Sequence, residues 1–188
     1  MDLPAWDRVA RRDAAERRVR MSDETYRGSD TELRAEFLAS RFAEDYRRYQ
    51  YAFVEFLVDH LTGVSKAFDG DLQQVLVLAV IGQVRLRGHR TAGEAGGVPP
   101  PAETLSITAS RLADVTGIPR ETVRRKLKLL EDRGWIARRP DGAWYLRVDA
   151  GDGEAPARRH LAEQDDRARR LVARLVADLE NLADPSRP

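Results

Sequence analysis

Along the N-terminal half, apolar side chains return at the interval of a helix. Leu33, Phe37, Phe42, Tyr46, Tyr49, Phe53, Phe56 and Val64, with His60 among them, follow one another in steps of three to five. That spacing keeps one face apolar and predicts a long helix over about 31–61. Asp30 or Ser29 stands where a cap belongs, and Glu32 places negative charge near the helix N-terminus. A helix of that length exceeds what a small core needs. Its aromatic stripe therefore predicts a contact between subunits, with an intramolecular core as the alternative. Gly63 predicts a loosening, and Asp69-Gly70-Asp71 opens a second helix over about 71–87. That helix carries the unbroken apolar run Val75–Ile81 and reads as the central core helix, a buried strand being the alternative.

Beyond it, the stretch GHRTAGEAGGVPPPAET interrupts all periodicity with glycine and proline, predicting a surface loop over 89–104. Further on, WIARRPDGAWYLRV sets two apolar-rich runs around Pro140-Asp141-Gly142, the signature of a hairpin over 135–148. Trp135 and Trp144 fall in its apolar pattern and read as packing residues. After a GDGEAP linker, Leu161, Ala168, Leu175 and Leu182 recur every seven residues, with Leu171 and Val172 between them. This predicts a helix over 156–182 with a coiled-coil-like seam, favouring a dimer arm. The first 28 residues are polar with scattered apolar anchors, and read as a flexible or partly helical arm.

Composition narrows the class. The 188 residues include no cysteine, which excludes disulfides, thiolate metal sites and a cysteine nucleophile. His60, His89 and His160 are too far apart for a local ligand pair. Of 32 basic residues only Lys66, Lys126 and Lys128 are lysines, and the other 29 are arginines, as a GC-rich coding genome would produce. The chain starts without an apolar signal region, and its longest apolar run is too short to span a bilayer. A bacterial, cytoplasmic protein is expected, with no cofactor and no metal.

Net charge is +1, so any case for nucleic acid rests on where the charges lie. Ser106–Val148 holds ten basic and five acidic residues, a local +5 against −4 for the other 145. Within it, ITASRLADVTGIPRETVRRKLKLLEDRGWI reads as two helices and a turn. Thr108 is the expected cap of the first, with Leu112, Ala113 and Val115 facing inward. Ala113 leaves room for a close helix approach, and Gly117 supplies a left-handed turn. Ile118 plugs the core, and Pro119 suits the first turn of the second helix. Val123, Leu127 and Leu130 then return inward. Small alanine, turn glycine and inward valine at these offsets form a helix-turn-helix signature. Outward lie Arg120, Glu121, Arg124, Arg125 and Lys128. Arginine bonds bidentately to guanine and glutamate accepts from cytosine, so the face suits a major groove. In the hairpin, Arg138 and Arg139 precede the turn and suit phosphates or a minor groove.

Residues 105–148, through Ile107-Thr108 and GIPRETVRRKLKLLEDRGWI, resemble the winged-helix DNA-binding domain of the Crp/Fnr family of bacterial transcription regulators. The resemblance implies that Arg120, Glu121 and Arg125 read bases, with Thr108, Thr122 and Lys128 on the DNA backbone; Arg124 on the outward face and Arg138 and Arg139 in the hairpin are expected to join them there. Pro119 stands where that family often has serine, and Arg124 and Lys126 where it has smaller or apolar residues. Residues 1–104 lack the glycine-turned pattern of that family's N-terminal β-roll. Helices on both sides of the motif are similar in layout to MarR-type regulators instead.

No phosphate-cradling loop, H-E-x-x-H or G-x-S-x-G is present, and Asp59-His60 on an apolar stripe is a packing feature rather than acid–base chemistry. The expected fold is mainly α, a winged helix-turn-helix with a small β-hairpin wing between long N-terminal and C-terminal dimerisation helices. The expected function is a homodimeric, sequence-specific double-stranded DNA-binding transcriptional regulator on an inverted repeat. It would act through a recognition helix over 119–132 and the wing. A winged-helix protein-interaction module and a plasmid or phage replication or partition factor are the alternatives. An unidentified small-molecule effector between the aromatic helix and Val75–Ile81 is a further possible partner.

Overall fold

The apolar register that begins near Leu33 does become helix, but in two pieces. In the computed structural model, which describes residues 30–149 and 154–184, helix α1 spans residues 30–44 and α2 spans Tyr46–Ala67. Asp45 lies in the turn between them, and its Oδ1 accepts from the Arg48 backbone N–H at 3.4 Å. The helical backbone bonds continue across it, from Asp45 N–H to the Arg41 carbonyl at 3.5 Å and from Tyr49 N–H to the Asp45 carbonyl at 3.2 Å, so the break is confined to one residue. The expectations for residues 1–28 and for Ser29 as a cap lie outside the described residues.

The described residues fall into two compact units, 30–55 with 174–184, and 56–149 with 154–173. In the first, Tyr49 stacks on Phe42 at 5.4 Å and on Phe53 at 6.0 Å, an aromatic ladder internal to the unit. Leu33, Phe37 and Tyr46 remain exposed. Arg41 donates to the Ala183 carbonyl at 3.2 Å, and Leu182 is buried. A cleft of about 390 Å³ here is lined by Arg47, Arg48, Tyr51, Arg174, Leu179 and Leu182 among others, with no contribution from Val75–Ile81.

The second unit holds the core. α2 runs through Gly63 instead of loosening there: a Cβ on Gly63 would lie 2.5 Å from Gln164 Nε2, so glycine admits a close neighbour. Asp71 caps α3, Leu72–Glu94, which settles the helix-or-strand alternative for Val75–Ile81. Only one face of α3 is buried (Gln74, Val77, Leu78 and Ile81), while Leu86 is 70% exposed. α3 also continues through Gly88 and Gly93, into the stretch predicted as loop. Gly88 is there for contact, since a Cβ on it would run into Leu105. The irregular segment shrinks to 95–101 and a 3₁₀ turn, Ala102–Thr104, with Pro99–Pro101 stopping any continuation.

α4, Ala109–Thr116, and α5, Arg120–Asp132, follow, then β1, Ile136–Arg138, and β2, Trp144–Leu146, paired antiparallel with Ile136 opposite Leu146. Ile107 adds an isolated bridge to Trp144. α3 packs against α4, α5 and β2. Phe68, Val77, Ile81, Leu112, Val123, Leu127, Leu130, Trp135, Ile136 and Trp144 form one cluster, both tryptophans packing as predicted. The predicted helix over 156–182 breaks at Leu161 into α6, Pro156–His160, and α7, Ala162–Ala183, because Leu161 turns toward the core cluster. Among the described residues no helix is long and apolar enough to cross a membrane, and no cluster of histidine and carboxylates could hold a metal ion.

Candidate nucleic-acid interface

Thr108 opens the motif by accepting the Arg111 backbone N–H on its hydroxyl at 3.2 Å. α4 ends at Gly117, whose φ of 70° is left-handed and whose N–H reaches the Ala113 carbonyl at 2.9 Å. Thr116 ties the turn further, donating to the Leu112 carbonyl at 2.7 Å and accepting from the Ile118 N–H at 3.3 Å. Leu112, Ala113 and Ile118 are buried as the sequence predicts, but Val115 is 53% exposed and does not belong to the inward face. Pro119 takes the N-cap position itself and offers no side-chain cap.

α5 then divides into two arcs. At about 100° per residue, Arg120, Arg124, Lys128, Glu121 and Arg125 fall within about 140° of one another. All five are exposed. Val123, Leu127, Leu130 and Lys126 occupy about 100° on the other side. All four are buried. Lys126, left out of the outward set in the sequence but given no inward role there, faces the core, where its Nζ donates to Asp71 Oδ2 at 2.6 Å. This pairing across the fold is what sequence reasoning missed. The helical arc alone assigns Lys126 to the buried side, and its charge then demands a partner.

The outward cations are not equivalent. Arg124 Nη1 holds Glu121 Oε1 at 2.6 Å. Lys128 Nζ sits 3.2 Å from Glu131 and 2.9 Å from Asp132, and hydrogen bonds to Asp132 and then Glu131 raise its pKa. Arg120 and Arg125 make no hydrogen bond or salt bridge among the described residues. They are exposed guanidinium groups at the helix start and one turn on, with their donors available.

In the hairpin, Arg138 lies over the Trp144 ring at 5.7 Å. Arg139 donates to the Glu103 carbonyl at 3.0 Å and pairs with Asp141 at 3.2 Å, tethering the wing to the 3₁₀ turn. Asp141 also accepts the Ala143 N–H at 3.0 Å, and Gly142 takes φ 88°. Helix and wing enclose a cleft of about 450 Å³ lined by Ala109, Arg124, Lys128, Glu131, Arg138, Gly142 and Trp144. It gathers Arg124, Lys128 and Arg138 from the expected backbone set; Thr108, half-buried Thr122 and Arg139 do not line it.

Residues 83–149 match the family of Crp-like helix-turn-helix domains. This segment is a Crp-like helix-turn-helix domain. The match begins inside α3, ahead of the 105–148 stretch that carries the resemblance in sequence. The extra residues are those where α3 meets the motif, with Gly88 against Leu105. No curated protein and no solved structure matches the chain. The Crp-like domain supports a DNA-binding regulator in general terms.

Proposed function

We propose that the chain is a sequence-specific regulator of transcription, binding double-stranded DNA as a homodimer in the bacterial cytoplasm. α5 enters the major groove with Arg120, Glu121 and Arg125 toward base edges. The observation that carries this reading is the pair of exposed guanidinium groups, Arg120 and Arg125, without a hydrogen bond or salt bridge among the described residues, on the outer arc of a helix held behind a left-handed turn. Glu121 pairs with Arg124 at 2.6 Å on the exposed face, and its carboxylate can accept from a cytosine amino group. Arg124, Lys128 and Arg138 bring three cations to one cleft beside the Glu131 carboxylate, and they are the groups offered to phosphates, with Thr108 and Thr122 as further backbone contacts. Arg139 serves chiefly to anchor the wing, leaving Arg138 as its leading contact with DNA.

Two copies reading two half-sites about 34 Å apart bind an inverted repeat. Selection from a random duplex pool tests binding, symmetry and spacing together. With the selected duplex, Arg125→Ala should lose about 1–3 kcal/mol of discrimination at one base pair. Unchanged discrimination removes Arg125 from the reading set. Binding that ignores salt points instead to a protein-interaction module.

A further inference from the structure

α5 is held from behind by one short corner at two places. Asp69 and Gly70, with φ 53° and 85°, turn the chain from α2 into α3 over buried Phe68. From this corner Asp71 Oδ2 takes the hydrogen bond from Lys126 at the middle of α5, while its Oδ1 accepts the Gln74 N–H at 3.0 Å and starts α3. At the far end of α5, Arg133 Nη2 lies 3.5 Å from Asp69 Oδ2. The Arg133 guanidinium also covers the rings of Phe68 at 5.6 Å and Trp135 at 5.0 Å.

The Lys126 and Asp71 side chains are 11% and 22% exposed. Burial pushes the Asp71 carboxyl up, but hydrogen bonds from Lys126 and the Gln74 N–H, with the fields of Lys126 and Arg125, outweigh it and hold it below its ordinary value. Asp71 is therefore held as the carboxylate. On packing grounds alone, the arc shared with Val123, Leu127 and Leu130 is served as well by leucine. A short charge-assisted bond adds what leucine lacks, a fixed direction.

We propose, resting on the reading that α5 contacts DNA, that Asp71 is a positioning residue for base recognition. Through Lys126 it fixes the rotation of α5 about its axis, and with it the arc that carries Arg120, Glu121 and Arg125. The α2–α3 corner is thereby the seat of the recognition helix, and its placement sets which base edges those side chains reach.

The test uses the full chain and three variants. Asp71→Asn keeps a capping side chain and drops the charge. Lys126→Met keeps the apolar stem and drops the ammonium, and the third variant combines both. The readout is the ratio of affinity for the selected duplex to that for a shuffled duplex, taken at a temperature where melting curves show each variant folded. A smaller folded fraction lowers both affinities together, so a merely stabilising pair leaves the ratio alone. Each single variant should lower it about tenfold, the scale of one misread base pair. The double variant should fall no further than the worse single, and the salt dependence on shuffled duplex should match the parent. Unchanged ratios in both singles, or a double variant at the product of the two, overturn the assignment. A parent chain that fails to discriminate the two duplexes defeats the DNA reading itself, a separate outcome.

Discussion

A side chain on Gly117 would meet no atom within 4 Å, yet the backbone there stands at φ 70°. Substitution is then opposed by conformation alone, since the space is open. Alanine should lose about 1 kcal/mol, the scale of forcing an L-residue left-handed, and asparagine less because it tolerates that region. Urea unfolding should show the midpoint falling in that order with unchanged slope. Equal midpoints for glycine and alanine would mean the turn is not fixed left-handed. Gly117 was legible because local chemistry decides it. Lys126 was not: its charge suggests solvent, its place on the helix suggests core, and the deciding partner lies 55 residues back in the chain. No local pattern carries a contact of that range.

Elements were legible in kind and less so in extent. The periodic run from Leu33 and the apolar run Val75–Ile81 are helical, and the hairpin turn sits at Pro140-Asp141-Gly142. Their ends moved for reasons outside local preference. The long helix breaks for a single residue at Asp45, where Arg48 N–H finds the aspartate side chain, and the C-terminal one breaks at Leu161, which packs against the core. α3 shows why glycine misleads as punctuation. On Gly82 a Cβ would meet nothing within 4 Å, whereas on Gly88 it would collide with Leu105. Gly82→Ala should therefore raise stability by up to about 1 kcal/mol by removing backbone freedom. Gly88→Ala should lower it by about 1–3 kcal/mol through overpacking. Thermal melts should move in opposite directions, and parallel shifts would show that the Leu105 contact does not constrain α3. The candidate interface was legible in its outward arc, since Arg120, Glu121, Arg124, Arg125 and Lys128 follow from the same period as the core. Which of those charges are already paired required neighbours in space.

At the scale of the whole molecule, net charge conceals the pattern that counts. The surplus gathers in Ser106–Val148, yet much of it is internally engaged: Lys126 by Asp71, Arg124 by Glu121, Lys128 by Glu131 and Asp132. α2 leaves Leu57, Val58 and Leu61 exposed, and α7 leaves Val172 and Val176 exposed, apolar surface of the kind that a second copy would cover. Sedimentation at micromolar concentration should report a mass of two chains, and Val58→Glu should shift it toward one. A single-chain mass for the parent would end the homodimer reading. The packing of α3 also bears on how this regulator can be taken apart. Because α3 supplies Val77 and Ile81 to the core and Asp71 to the back of α5, a fragment cut at the visible start of the motif, near Leu105, leaves that helix without its backing. A cassette meant for grafting onto another protein has its natural seam before Phe68, and a chimera joined there inherits the aim of the helix along with its residues.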